Sequence, residues 1–157
     1  MAGRIRFTAI PLAILALAML EAQTKPNING VWKMDPAKSD FGSGPVSESR
    51  LDKISYHEPD LKDTITQKLQ RGAENTYDMI YSTDGKETTN KVRGNTVNST
   101  ARWDGSVLVV DSTVHALREQ KMLDRYTLSS DGKTLTLLRH MTGHFDTDQK
   151  IIFEKQE

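Results

Sequence analysis

The sequence predicts an all-β protein: an antiparallel up-and-down meander of about ten strands closed into a barrel, behind an N-terminal signal peptide. Three observations carry that expectation. Short turns at Asp84-Gly85, Gly94-Asn95, Asp104-Gly105 and Asp131-Gly132 separate runs that alternate apolar and polar residues. Gly, and less readily Asn and Asp, tolerates the positive φ that tight hairpins need. The pairings implied by successive turns keep one set of residues on one face. Consecutive hairpins without long crossovers also favour a barrel over a Greek-key sandwich, and closure removes exposed sheet edges.

Residues 1–22 read as a secretory signal peptide. Arg4 and Arg6 form a basic start, Phe7 to Leu20 form an apolar stretch, and Ala22 is the expected last residue before cleavage. The stretch is shorter than the roughly 20 apolar residues of a spanning helix, and no second apolar run follows. The mature chain, residues 23–157, is then one domain, secreted or periplasmic, with no membrane span. It contains no Cys, so a hydrogen-bonded sheet and a real core must hold it without disulfides. Lys and Arg together number 21, as do Asp and Glu. This balance, with no basic stripe, argues against a nucleic-acid partner.

The elements follow in order. Val31-Trp32-Lys33 starts the first strand, and Pro36 to Phe41 forms a short helical or irregular crossing. Arg50 to His57 and Leu61 to Gln70 pair around Glu58-Pro59-Asp60. A two-residue turn at Asp84-Gly85 sets Tyr81 opposite Thr88, Met79 opposite Asn90 and Tyr77 opposite Val92, with Asp78 and Lys91 paired outside. Gly94-Asn95 sets Val92 opposite Val97, Asn90 opposite Ser99 and Thr88 opposite Ala101. Asp104-Gly105 sets Ala101 opposite Leu108, Ser99 opposite Val110 and Val97 opposite Ser112. A loop at Leu117-Arg118-Glu119 sets Val114 opposite Met122, Ser112 opposite Asp124 and Val110 opposite Tyr126, and opposes Asp111 and Arg125 outside. Asp131-Gly132 sets Leu128 opposite Leu135, Tyr126 opposite Leu137, Asp124 opposite Arg139 and Met122 opposite Met141. Ile151 to Glu154 is the last strand. Directly opposed residues share a face, so the apolar, aromatic face persists through every turn. Ser82 to Lys86 echoes Ser129 to Lys133, as propeller blades do, but a propeller of at least four blades of about 40 residues needs a longer chain.

The run Asn27-Ile28-Asn29-Gly30-Val31-Trp32 carries a Gly-x-Trp at the head of the first strand. It resembles the opening motif of the lipocalins and their calycin relatives. The longer run from Gly30 to Phe41 resembles the start of secreted, lipocalin-like bacterial proteins, and the resemblance extends through Ala101-Arg102-Trp103-Asp104-Gly105 to the end. It implies a lipocalin-like β-barrel with a central cavity and no assigned reaction. In lipocalins the first-strand Trp packs at the closed end against an Arg from a late strand. Trp32 matches that Trp, and Arg139 is the one late-strand Arg, although the register pairs it elsewhere. The missing middle motif, disulfide and C-terminal helix point to a calycin-like relative rather than a true lipocalin.

The register collects cavity candidates on the inner face. Tyr77, Met79, Tyr81, Trp103, Met122, Tyr126 and Met141 supply aromatic and thioether surface, suited to an adaptable pocket. Asn90, Ser99 and Ser112 interrupt it with polar groups, and Asp124 and Arg139 bring charge. Two readings stand for that pair. Either it satisfies itself in the interior, or Arg139 offers a fork to a ligand carboxylate. Fatty-acid-binding barrels use an Arg-x-Tyr for this purpose; Arg125 and Tyr126 are adjacent and point to opposite faces, so that motif does not carry over. His140, His144, Asp146 and Asp148 fall near one loop and read as solvated residues, not a metal site. No inward His suits a haem, and no catalytic motif occurs, so no cofactor and no enzyme are expected.

The expected function is binding of a small, apolar or amphipathic molecule, in a cavity of roughly 300 Å³ or more. The alternative is an envelope or extracellular protein-interaction module with a filled barrel, its protein partner unspecified.

Overall fold

A computed structural model describes residues 25–157, so the expected signal segment, 1–22, lies outside the described residues. Ten antiparallel strands follow in chain order: β1 (Gly30–Met34), β2 (Ser47–His57), β3 (Asp60–Leu69), β4 (Glu74–Ser82), β5 (Thr88–Val92), β6 (Asn95–Asp104), β7 (Val107–His115), β8 (Gln120–Leu128), β9 (Thr134–Gly143) and β10 (Thr147–Gln156). No helix occurs among the described residues. The spatial order is β4-β3-β2-β1-β10-β9-β8-β7-β6-β5. β1 pairs with β10, with Val31 opposite Gln156, and the meander curls into a nearly closed barrel. The segment expected as a crossing, Pro36 to Phe41, is a turn followed by an isolated bridge between Asp40 and Lys150.

The barrel has a seam that the hairpin reading did not anticipate. β4 and β5 are the two ends of the sheet and form no ladder with each other. The expected pairs Tyr81–Thr88, Met79–Asn90 and Tyr77–Val92 are therefore absent. Residues beyond β4 pair elsewhere: Asp84 bridges Arg102, and Gly85 N–H donates to the Ala101 carbonyl at 3.0 Å. Asn90 spans the seam with its side chain. Its Oδ1 accepts from Ile80 N–H at 2.8 Å, and its Nδ2 donates to the Ile80 carbonyl at 2.9 Å. One side-chain amide thus takes the place of a ladder pair.

Three hairpins are shifted by two residues from the expected register. The β5–β6 turn is Arg93-Gly94, with φ of 50° and 83°, so Val92 opposes Asn95 and Asn90 opposes Val97. Positive φ at both central residues belongs to a type I′ turn. The β6–β7 turn is Gly105-Ser106, and Ser99 opposes Ser112 rather than Val110. The β7–β8 loop is longer than expected, so Ser112 opposes Met122, Val110 opposes Asp124 and Leu108 opposes Tyr126. A shift of two leaves every side chain on its original face, and the predicted inner set stays inner. The outer ion pairs fail. Asp78 instead meets Lys62 at 2.8 Å, Lys91 donates to Thr96, and Arg125 opposes Val109 while Asp111 opposes Leu123. The β8–β9 register stands as expected, with Asp124 opposite Arg139 and Leu128 opposite Leu135.

One end of the barrel is packed shut. Trp32, Phe153, Leu135 and Leu137 are fully buried there and in the adjoining core. Trp32 Nε1 donates to the Ile28 carbonyl at 2.9 Å. A late-strand cation does cover the Trp32 ring, but it is Lys155, 5.4 Å from the centroid, and not Arg139. Lysine satisfies the same attraction between cation and ring face.

Candidate functional site

The interior of the barrel holds an unusual density of charge. On β2, Ile54 and Tyr56 face inward, and the period of two carries Asp52 and Arg50 inward with them. Arg50 Nε donates to Asp52 Oδ1 at 2.8 Å and Nη2 donates to Oδ2 at 2.7 Å. Only 4% of Arg50 and none of Asp52 is exposed. On β3 the same period places Asp63 inside between Leu61 and Ile65. Across the barrel, Arg139 Nε and Nη2 donate to Asp124 Oδ1 and Oδ2, each at 2.7 Å. Two bidentate guanidinium–carboxylate pairs therefore face one space.

Each pair governs the protonation around it. Burial opposes the charge on Arg50, but the facing Asp52 carboxylate more than offsets this and holds its pKa well up. Arg139 behaves likewise with Asp124. Asp63 moves the other way. Burial, then the nearby Asp52 carboxylate, pushes its pKa well above the ordinary range, and Asp63 Oδ1 is buried with no hydrogen-bond partner. A carboxyl that keeps its proton is the form such a site tolerates. Burial also raises the Tyr81 and Tyr126 phenols, which stay protonated.

Around these groups lies a cavity of about 190 Å³. Its walls include Met79, Tyr81, Ser112, Met122, Asp124, Tyr126, Arg139, Arg50 and Ile65. Its mouth is at the end formed by the β5–β6 turn, where half-buried Gln67, Tyr77, Val92, Asn95 and Val114 and exposed Arg93 line it. Tyr77 hydroxyl donates to Gln67 Oε1 at 3.2 Å, and Gln67 Nε2 donates to Ser47 Oγ at 2.5 Å, which fixes the rim on that side. The volume falls below the roughly 300 Å³ at which ligand clefts usually begin. Gln67 and Arg139 also border a second recess of about 140 Å³.

The structure sorts the twelve sequence candidates. Tyr77, Met79, Tyr81, Ser112, Met122, Asp124, Tyr126 and Arg139 come together around the cavity. The other four lie elsewhere. Asn90 is taken up by the seam, and Ser99 is buried in a hydroxyl pair with Ser112 at 2.8 Å. Trp103 sits at the shut end, donating to Tyr56 hydroxyl at 2.9 Å. Met141 lines the second recess. Arg50, Asp52, Asp63 and Gln67 were missed, although the apolar residues Ile54, Leu61 and Ile65 set the parity that turns them inward. Among the described residues no group of three metal-ligating side chains assembles; His140 Nδ1 lies 2.7 Å from Asp148 Oδ1 on the outer surface.

No family model matches the chain, and no curated protein matches it. Solved structures do match in fold. A secretory abundant heat soluble (SAHS) protein from Ramazzottius varieornatus aligns with a TM-score of 0.60 at 15% identity, covering 87% of this chain and 100% of that one. Fatty-acid-binding protein 1 from Echinococcus granulosus aligns at 0.55 and 10% identity, covering 82% of this chain and 97% of that one. Wild-type fluorescent protein UnaG aligns at 0.55 and 12% identity, covering 82% and 96%. At these identities the likeness is one of fold, and the fold is a ten-stranded, lipocalin-like up-and-down β-barrel.

Proposed function

We propose that this chain is an exported, non-catalytic barrel that holds a small, partly apolar molecule in its cavity. The observation that carries this reading is the cavity itself. Its walls join the thioethers of Met79 and Met122 to the rings of Tyr77, Tyr81 and Tyr126, and the Tyr81 and Tyr126 hydroxyls make no hydrogen bond to other described residues. Apolar walls with a few free polar groups suit a bound organic molecule. Kinship of fold with a fatty-acid-binding protein supports a carrier role. The cavity volume favours a compact ligand over a long chain. Native mass spectrometry of protein purified from its own host tests the proposal: a retained small-molecule adduct is the expected result. Bare protein that also binds nothing from a panel of compact aromatic and aliphatic molecules would leave the second reading, an interaction module, which the small volume favours. Export rests on the Arg4-to-Ala22 segment. Intact-mass measurement of exported material should begin near Gln23; a mature form that retains Phe7 to Leu20 would refute it.

A further inference from the structure

The cavity carries four charged side chains within or behind its walls, and the way they are paired bears on what can enter. Arg50 and Arg139 each give Nε and Nη2 to one aspartate, at 2.7–2.8 Å. Each guanidinium has five N–H donors, so donors remain on both, and neither Nη1 is hydrogen-bonded to another described residue. Each carboxylate accepts one of these bonds at each oxygen, about two of its four acceptor sites. Tyr81 and Tyr126, each over nine-tenths buried as residues, add two hydroxyls without a partner among the described residues. Open donors along the walls therefore outnumber open acceptors, since both guanidinium groups, both phenols and only the Asp124 carboxylate line the cavity, and the formal charges of the two pairs cancel. Arg93 lies at the rim and is solvent-exposed, where water screens it.

Resting on the carrier reading above, we infer that the cavity selects neutral molecules bearing a hydrogen-bond acceptor, such as an amide or ketone carbonyl, and rejects carboxylates, with Asp124 as the determinant of that choice. The physical argument is desolvation. A ligand carboxylate must leave water, which costs several-fold more than for a neutral carbonyl unless an uncompensated cation receives it. Asp124 and Asp52 already hold that role toward the two guanidinium groups. A neutral carbonyl needs only a donor, and donors are what the cavity has left. The proton retained on Asp63 agrees with the same balance, since a third carboxylate would make the interior net negative.

The test uses pairs matched in shape, benzamide against benzoate and hexanamide against hexanoate, titrated into the protein by NMR at about pH 7 and physiological salt. The amide of each pair should bind roughly tenfold tighter or more. In Asp124→Asn, Arg139 loses its counter-charge, so the preference should reverse, and benzoate should raise the melting temperature of that variant but not of the parent. The melting shift keeps the test readable even if the variant is weakened. Carboxylates that bind the parent as well as the amides overturn the selectivity and leave the carrier reading intact. An Asp124→Asn protein that still prefers amides overturns the role of Asp124. Failure of all four compounds to bind overturns the selectivity; it overturns the carrier reading as well only when native mass spectrometry also shows no retained small molecule.

Discussion

Asp124 and Arg139 meet in a nearly buried bidentate pair, and that geometry fixes what single substitutions do. Arg139→Ala leaves a buried carboxylate without its partner, and the expected loss of stability is about 3–5 kcal/mol. Asp124→Leu combined with Arg139→Met replaces the pair with apolar bulk and should recover most of that loss. Urea unfolding of the three proteins checks this, and a neutral Arg139→Ala would show that the pair adds nothing. Asp63 makes a separate, pH-dependent prediction. Its folded pKa lies well above the ordinary 3.8, so the folded protein keeps a proton that the unfolded chain releases above that pH. Stability then falls as pH rises from about 3.8 toward the folded value, by at most about 1.4 kcal/mol per unit for one proton. Asp63→Asn copies the protonated shape and removes the titration. It should be more stable than the parent at about pH 7, with a difference that vanishes below about pH 4. Melting temperatures taken across that range decide it; a variant less stable than the parent at neutral pH would contradict the protonation assigned to Asp63. The first pair was legible in the sequence because Asp131-Gly132 taken as a two-residue turn sets Leu128 opposite Leu135, and that register is the one that forms. Arg50 and Asp52 were not, because Ser47 to Lys53 carries charge at both parities, and its apolar residue, Leu51, faces outward.

At the scale of the strand, the seam between β4 and β5 rests on Asn90. Two hydrogen bonds from one side chain to Ile80 stand in for a missing ladder. Asn90→Ala should leave those backbone groups unpaired at a cost of about 1–3 kcal/mol. Amide exchange should quicken in β4 and β5 and stay unchanged in β8 and β9. Uniform exchange across the barrel would mean the seam is held by something else. The β5–β6, β6–β7 and β7–β8 hairpins were read correctly as hairpins, and their faces correctly as faces, but their register was not. Arg93-Gly94-Asn95 and Asp104-Gly105-Ser106 each offer two overlapping dipeptides that can form the turn. The choice between them slips the pairing by two residues. Burial cannot arbitrate, since both choices bury the same side chains. The Asp84-Gly85 turn misled for a different reason: local turn chemistry was present, but Asp84 and Gly85 pair with β6 and not with each other's flanking strands.

For the molecule as a whole, the alternation of strands and turns was enough to predict the barrel, and the cavity volume was beyond it. Volume depends on how far two guanidinium groups and three phenols reach across the lumen, which residue type alone does not give. The ladder between β1 and β10 has one more consequence. It makes the first and last strands neighbours, while the chain's own β4–β5 link crosses the seam, where the sheet has no ladder. Connectivity and sheet order are thus out of phase by a cyclic shift. A circular permutant restores the match: it begins at Glu87, ends at Lys86, and joins Gln156 to Lys25 through a linker of about 2–5 residues, which keeps Ile28 in place under Trp32. Every ladder in that chain becomes a hairpin between sequence neighbours, and the contacts left between chain-distant strands are those across the seam, where no ladder forms. Local strand pairing speeds folding, so stopped-flow refolding of the permutant should outpace the parent with the barrel unchanged. A permutant that folds more slowly would mark the native β4–β5 tether as part of the folding nucleus.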